Sequence, residues 1–247
     1  MKSGIQISSL KPLLKTPEEV TLAFEKMAAL GCRYGQLQWI DPAVSIDHIA
    51  AVMKANDMES LGTQDFYVAV MENLEYYVNL NAATGGIWLT VSRIPEEYKS
   101  REGLDIFAGE LEALRDYLAP LGQRVCFHPV TADYKAVPGM NAVEYLLEKL
   151  PWMEICLDLF HLDKNCDDMP AFIRRYAGRI PMVHFKDHRE DKLVPAGSGQ
   201  VRWEGVVKAC LDAGVGYALA EQESWEEDPY LCLGEAMNWI DREISRG

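Results

Sequence analysis

The sequence predicts an α/β fold, a single-domain (β/α)8 TIM barrel spanning residues 1–247. Three observations predict it. Short apolar runs alternate with longer amphipathic segments along the whole chain, the pattern of parallel βαβ units. Eight such pairs fit within 247 residues, the size of such a barrel. No Pro-, Gly- or Ser-rich linker and no shift of composition divides the chain. The competing arrangement is an open doubly wound sheet, disfavoured because no G-x-G-x-x-G follows the first apolar run.

The elements follow in order. GIQIS (4–8) is strand-like. Residues 16–31 carry a Thr cap, Pro at the first position, early glutamates and a terminal Gly, which together mark a helix. RYGQLQWI (33–40) is the second strand, and 45–57 is a helix with Ser45 as its cap. ESLGTQD (59–65) is a weaker strand, followed by a helix over 66–84 from its apolar spacing. GGIWLTVS (85–92) precedes a long helix over 103–122, and QRVCFHP (123–129) precedes a helix over 141–150. EICLDLF (154–160) precedes a helix over 168–179, and IPMVHFKD (180–187) precedes one over 202–214. GYALAEQE (216–223) and a helix over 228–244 complete the eight pairs.

Composition narrows the function classes. Lys and Arg number 24 against 38 Asp and Glu, a formal net charge of −14. Such a surface repels phosphate backbones and anionic membranes, so no nucleic-acid and no membrane partner is expected. None of the six cysteines forms a CxxC pair, and Cys126 and Cys156 lie in apolar runs where a thiol behaves as a small hydrophobe. The first fifteen residues lack the apolar stretch of a signal peptide, and no run reaches the length of a membrane span. The expected setting is reducing and cytoplasmic.

Four consecutive strands end in a metal-competent side chain: His128, Asp158, His184 and Glu221. Their spacings are close to one βα unit of about 30 residues. In a barrel the C-terminal strand ends face one shared mouth, where the chemistry of this fold resides. Two imidazoles and two carboxylates suit a divalent cation, which would offset the cost of gathering carboxylates in a low-dielectric mouth. A lone strand-end Asp is commonly a helix cap and a lone His commonly structural; four in sequential register point to a shared site. His161 starts the loop after strand six and is placed to reach a substrate oxygen. Lys186 alternates with His184 on one side of its strand, and Asp187 is placed to orient a ligand or hold a neighbouring loop. The Gly-rich loop PAGSGQVRW (195–203) reads equally as an anion-binding loop or a plain turn. Trp39, Gln64 and Trp225 lie near other strand ends, where an aromatic wall suits the apolar face of a sugar and equally suits plain packing.

At CLDLFHL, MVHFKDH, PAGSGQV and YALAEQE the chain resembles the xylose isomerase-like TIM-barrel superfamily, the sugar phosphate isomerase/epimerase group. The matching elements are Asp158 with His161; His184, Lys186 and Asp187; Gly197 and Gly199; and Glu221, with Glu223 ending a Glu-Gln-Glu run that resembles the Glu-Gln-Asp ending of one branch. GIQISSLK and RYGQLQW resemble the first two strands, with Gln36 where many members have Glu. The resemblance implies a divalent metal ion (Mn, Zn, Mg, Co or Fe) held by His128, Asp158, His184 and Glu221. It implies proton abstraction beside the carbonyl of a sugar, sugar phosphate or polyol, with the enediolate stabilised by the metal. Glu221 and His128 are the candidate proton carriers; His161, Lys186, Trp39, Gln64 and Glu223 are the candidate substrate contacts. A small-molecule carbohydrate is the expected partner, and a homodimer is compatible with this reading.

The chain departs from the epimerase pattern at strand five, where CFHPVTADY stands in place of a strand-end Glu. One branch carries a His-Asn-His-x-x-Glu-Phe run there; His128 matches its first His, while Val130 and Asp133 replace the second His and the Glu. Ser198 replaces an acidic residue in the Gly-x-Gly loop. Three alternatives stand beside an isomerase or epimerase. One is a dehydratase of a cyclic polyol or keto acid, which begins with the same proton abstraction. Another is a sugar-binding descendant without catalysis. The third is a DNA-repair endonuclease on the same barrel, which the net charge and the five histidines disfavour.

Overall fold

The computed structural model describes residues 1–247. β1 (Lys2–Gln6), β2 (Tyr34–Leu37), β3 (Glu59–Phe66), β4 (Trp88–Ser92) and β5 (Arg124–His128) pair in parallel, each with the next. β6 (Glu154–Ile155) continues from β5, and β7 (Leu157–Asp158) pairs instead with β8 (Met182–Phe185). After a hairpin of β9 (Asp187–Arg189) and β10 (Lys192–Val194), β11 (Tyr217–Ala220) pairs with both β8 and β1. β6 and β7 are two halves of the predicted sixth strand, parted at Cys156, whose amide donates to Phe127 O at 2.9 Å. The sheet therefore closes through this split strand, with eight positions around the barrel.

The helices clothe the outside. α1 (Pro17–Ala29) starts with a reciprocal capping box between Thr16 and Glu19, and α2 (Ile46–Ala55) with Ser45 accepting from His48 N. The helix predicted over 66–84 is two helices, α3 (Tyr67–Glu72) and α4 (Leu74–Thr84). They part at Asn73, whose side chain bonds Ala69 O at 3.2 Å and competes with the backbone ladder. α5 (Arg101–Leu118), α6 (Ala142–Lys149), α7 (Leu159–Asp163), α8 (Met169–Arg175), α9 (Val206–Asp212) and α10 (Pro229–Arg246) follow, with α7 an extra short turn after the sixth strand. The first strand ends at Gln6, earlier than predicted, because residues 7–13 turn into a 3-10 helix. Its Ser8 and Ser9 side chains serve Glu221 and the Gln222 amide instead of a strand ladder.

One core lies between sheet and helices; a second, smaller one fills the lower barrel with Leu61, Trp88, Cys126, Cys156, Met182 and Leu219. This inner plug explains the position of the site. Cys126, Cys156, Met182 and Leu219 each precede a candidate ligand by two residues, and strand side chains alternate with period two. His128, Asp158, His184 and Glu221 therefore share the inward side of their strands, one layer above an apolar floor. On β3 the register slips by one residue opposite Gly35–Gln36, and Gly62 crosses Trp88 closely at φ +143°; a Cβ there would meet Trp88 O at 1.9 Å. This bulge re-aims the strand so that Gln64 reaches the mouth, where it donates to Gln38 Oε1 at 3.2 Å.

Candidate active site

Three of the four strand-end groups, His128, Asp158 and His184, come together, and Glu221 joins them through His184. Ligating atoms of His128, Asp158 and His184 all lie within 4.8 Å of one another, and Glu221 Oε2 lies 3.1 Å from His184 Nδ1. All four residues are buried, with at most 4% exposure. His184 Nε2 lies 2.7 Å from Gln36 Oε1, an acceptor, so the ring donates its Nε2–H there and its Nδ1 lone pair is directed to the cavity. Gln36 is itself held by Gln6 and Thr90, each at 3.0 Å. His128 Nδ1 meets Ser92 Oγ at 3.3 Å, leaving Nε2 toward His184 at 3.2 Å. Burial pushes His128 well below the ordinary imidazole range, so its ring is neutral and fit to ligate.

Asp158 satisfies both readings of a strand-end aspartate. Its Oδ1 caps α7, accepting from Phe160 N at 2.9 Å and His161 N at 3.2 Å, while Oδ2 faces the cluster. Asp158 Oδ2 and Glu221 Oε2 are buried without a hydrogen-bond partner. Lys186 Nζ reaches them only at 3.7 and 4.0 Å, and pairs closely with Glu223 at 2.5 Å. Burial alone would lower Lys186, but Glu221, Asp158 and Glu223 outweigh it and hold the ammonium above its usual range. Burial alone would likewise raise Glu221, but the Lys186 ammonium leads the charges that outweigh it, and the carboxylate is held well below its usual range. Three carboxylates facing one ammonium leave an excess of two negative charges. Two oxygens without partners, an imidazole lone pair and that excess fit one divalent cation.

The other expected contacts surround this centre. Trp39, Gln64, His161, Lys186 and Glu223 line a cavity of about 450 Å³ together with His128 and Glu221, above the buried Asp158 and His184. His161 is steadied by Thr131 Oγ1 at 2.8 Å and lies 3.5 Å from Asp158 Oδ2. Trp39 adopts a left-handed backbone (φ +57°), costly for a bulky side chain, and its indole is fixed by Asp65 at 3.2 Å. Trp225 does not line this cavity. Asp133 is committed to the amides of Ile94 (3.0 Å) and Val130 (2.8 Å), so strand five supplies no second carboxylate base.

The Gly-rich loop is not an anion cradle. Its amides turn onto Asp187, which accepts from the amides of His188, Gly197, Gly199, Gln200 and Val201 and from Trp203 Nε1, at 2.8–3.0 Å. Asp187 thus locks the loop after β8, and Gly199 is needed there because a Cβ would lie 2.3 Å from Asp187 Oδ1. Asp187→Ala is expected to cost about 2–4 kcal/mol by urea denaturation, since six donors lose one acceptor. Sequence reading singled out Gln36 only by family resemblance and missed Gln6 and Thr90, which hold it from β1 and β4. Gln36→Leu is expected to weaken metal affinity about 10–100-fold in a chelator competition, because His184 loses the group that sets its tautomer.

Solved structures superpose on the whole chain at low identity. A sugar phosphate isomerase/epimerase from Parabacteroides distasonis has 13% identity and a TM-score of 0.78, covering 99% of this chain and 94% of that one. An L-ribulose 3-epimerase has 16% identity and a TM-score of 0.78, covering 100% and 95%. A D-allulose 3-epimerase from Methylomonas sp., solved with D-allulose, has 16% identity and a TM-score of 0.77, covering 98% and 97%. At such identities the likeness establishes the fold. No curated protein sequence matches the chain. The model of the xylose isomerase-like TIM barrel family matches residues 67–243, most of the chain and all four strand ends, and the protein therefore belongs to that family.

Proposed function

We propose that the protein is a divalent-metal-dependent isomerase or epimerase of a sugar, sugar phosphate or polyol. The observation that carries this reading is the buried group of His128, Asp158 and His184, whose ligating atoms lie within 4.8 Å of one another, with Glu221 Oε2 3.1 Å from His184 Nδ1 and two carboxylate oxygens lacking partners. The names of its structural neighbours, sugar isomerases and epimerases, support the same chemistry. His128, Asp158, His184 and Glu221 would hold the metal, which when bound polarises a substrate carbonyl and offsets negative charge on its oxygens.

The chain's own groups perform the rest. Glu221, ionised and with Ser8 donating to Oε1 at 3.3 Å, takes the proton from the carbon beside the carbonyl. His128, as a neutral imidazole, is the other group able to carry a proton there. Lys186 and Glu223 hold substrate hydroxyls on one side of the cavity, His161 on another, and Trp39 with Gln64 on the wall between β2 and β3. In this reading the protein acts in the cytoplasm on a small-molecule carbohydrate. No helix is long and apolar enough to cross a membrane.

The test is a panel of sugars and sugar phosphates incubated with metal-loaded protein in deuterated water. Deuterium is expected at the carbon beside the carbonyl of at least one ketose, with or without net conversion. A metal-loaded protein that exchanges no proton of any member contradicts the reading.

A further inference from the structure

A second cavity, of about 420 Å³, opens beside the first at the C-terminal ends of β2 and β3, under α4. The two share Gln38, Trp39 and Gln64 as their dividing wall. Its volume falls in the range of roughly 300–1,000 Å³ typical of small-molecule sites. Two residues of its wall, Thr63 and Gln64, are 1% and 3% exposed, and Thr63 Oγ1 and Gln64 Oε1 have no hydrogen-bond partner. Buried polar atoms are normally satisfied, and these two, in the wall of this cavity, have no partner within the protein. Tyr76 and Tyr77 supply aromatic surface on the α4 side.

Charge decides what class of group fits. The charged residues lining this cavity are Lys11, Lys15, Asp41 and Asp65, which balance. Lys11 is engaged over the Trp39 ring at 4.2 Å, and Asp65 is engaged by Trp39 Nε1 and by the Tyr77 hydroxyl at 2.7 Å. A phosphate would find no net positive field there. A neutral, hydroxylated ring with apolar faces matches aromatic walls and unpaired polar atoms together. Resting on the proposed function of the adjoining metal site, we propose that this compartment binds a second sugar ring, so that the substrate is disaccharide-sized. Its reacting ketose lies at the metal site and its second ring passes Trp39 to lie against Tyr76, Thr63 and Gln64.

The test is calorimetric binding to the metal-loaded protein. The probes are maltulose, lactulose and palatinose, each a hexose ring joined to fructose, compared with fructose alone. At least one disaccharide is expected to bind at least about tenfold tighter than fructose. Tyr76→Ala and the near-isosteric Thr63→Val are each expected to erase most of that gain while leaving fructose affinity within about twofold. If no disaccharide binds tighter than fructose, or if both variants weaken the two ligands equally, the second-ring site is overturned. The comparison needs no turnover, so a failure of proton exchange in the isomerase test leaves it readable.

Discussion

Asp158→Asn is expected to leave the barrel folded yet strip it of its metal. The two oxygens of Asp158 do separate work, and the substitution divides them. Oδ1 caps α7 through the amides of Phe160 and His161, a role an asparagine carbonyl fills equally well. Oδ2, buried and unpartnered, faces His128 and His184. Removing its charge halves the excess of two negative charges that a divalent cation would neutralise. The protein should therefore melt within a few degrees of wild type. Its metal content should drop below about a tenth of an ion per chain, and turnover should fall by at least about 10³-fold. Elemental analysis of protein purified without chelator, alongside a thermal melt, checks both halves. Full metal content in the variant would place the ion elsewhere.

Glu221→Gln separates an enzyme from a sugar-binding relative. Gln retains an acceptor for the Ser8 hydroxyl at 3.3 Å, and its size preserves packing over the inner plug. What it loses is the ionised oxygen that would take the substrate proton. For a proton-abstracting enzyme, deuterium exchange should drop about 10²–10⁴-fold while the ketose still binds. A protein that only binds its sugar would keep its affinity and have no exchange to lose. Glu221 is also a proposed ligand, so metal content is measured on the same sample. Exchange at the wild-type rate in a metal-loaded variant would move the base to another residue, with His128 the next candidate.

Much of the fold is written locally. Thr16–Pro17 and Ser45 announce helix starts because capping is a short-range interaction, and the strand-end ligands stand out because a barrel repeats about every 30 residues. Features that depend on distant partners are not written that way. Nothing within EICLDLF marks Cys156 as the point where one half of the strand turns to β5 and the other to β8. The break at Asn73 is visible in hindsight, since Asn is a weak helix former, yet the apolar spacing runs straight through it. The same holds at the site. His128, Asp158, His184 and Glu221 could be aligned by counting, whereas the role of Gln36 becomes legible only when β2 and β8 face each other across the barrel and bring its Oε1 to 2.7 Å from His184. In sequence Asp187 could orient a ligand or hold a neighbouring loop, and Asp133 stood where one branch of the family has a Glu. Backbone amides of neighbouring loops, which no side-chain pattern displays, claim both.

Anomalous scattering from crystals of the protein, purified without chelator and supplied with Mn, addresses the central claim most directly. The account predicts one strong peak at the barrel mouth, within coordination distance of His128 Nε2, Asp158 Oδ2, His184 Nδ1 and Glu221 Oε2, with Lys186 remaining paired to Glu223. A mouth with no peak, where the Lys186 ammonium alone bridges Asp158 and Glu221, would contradict it.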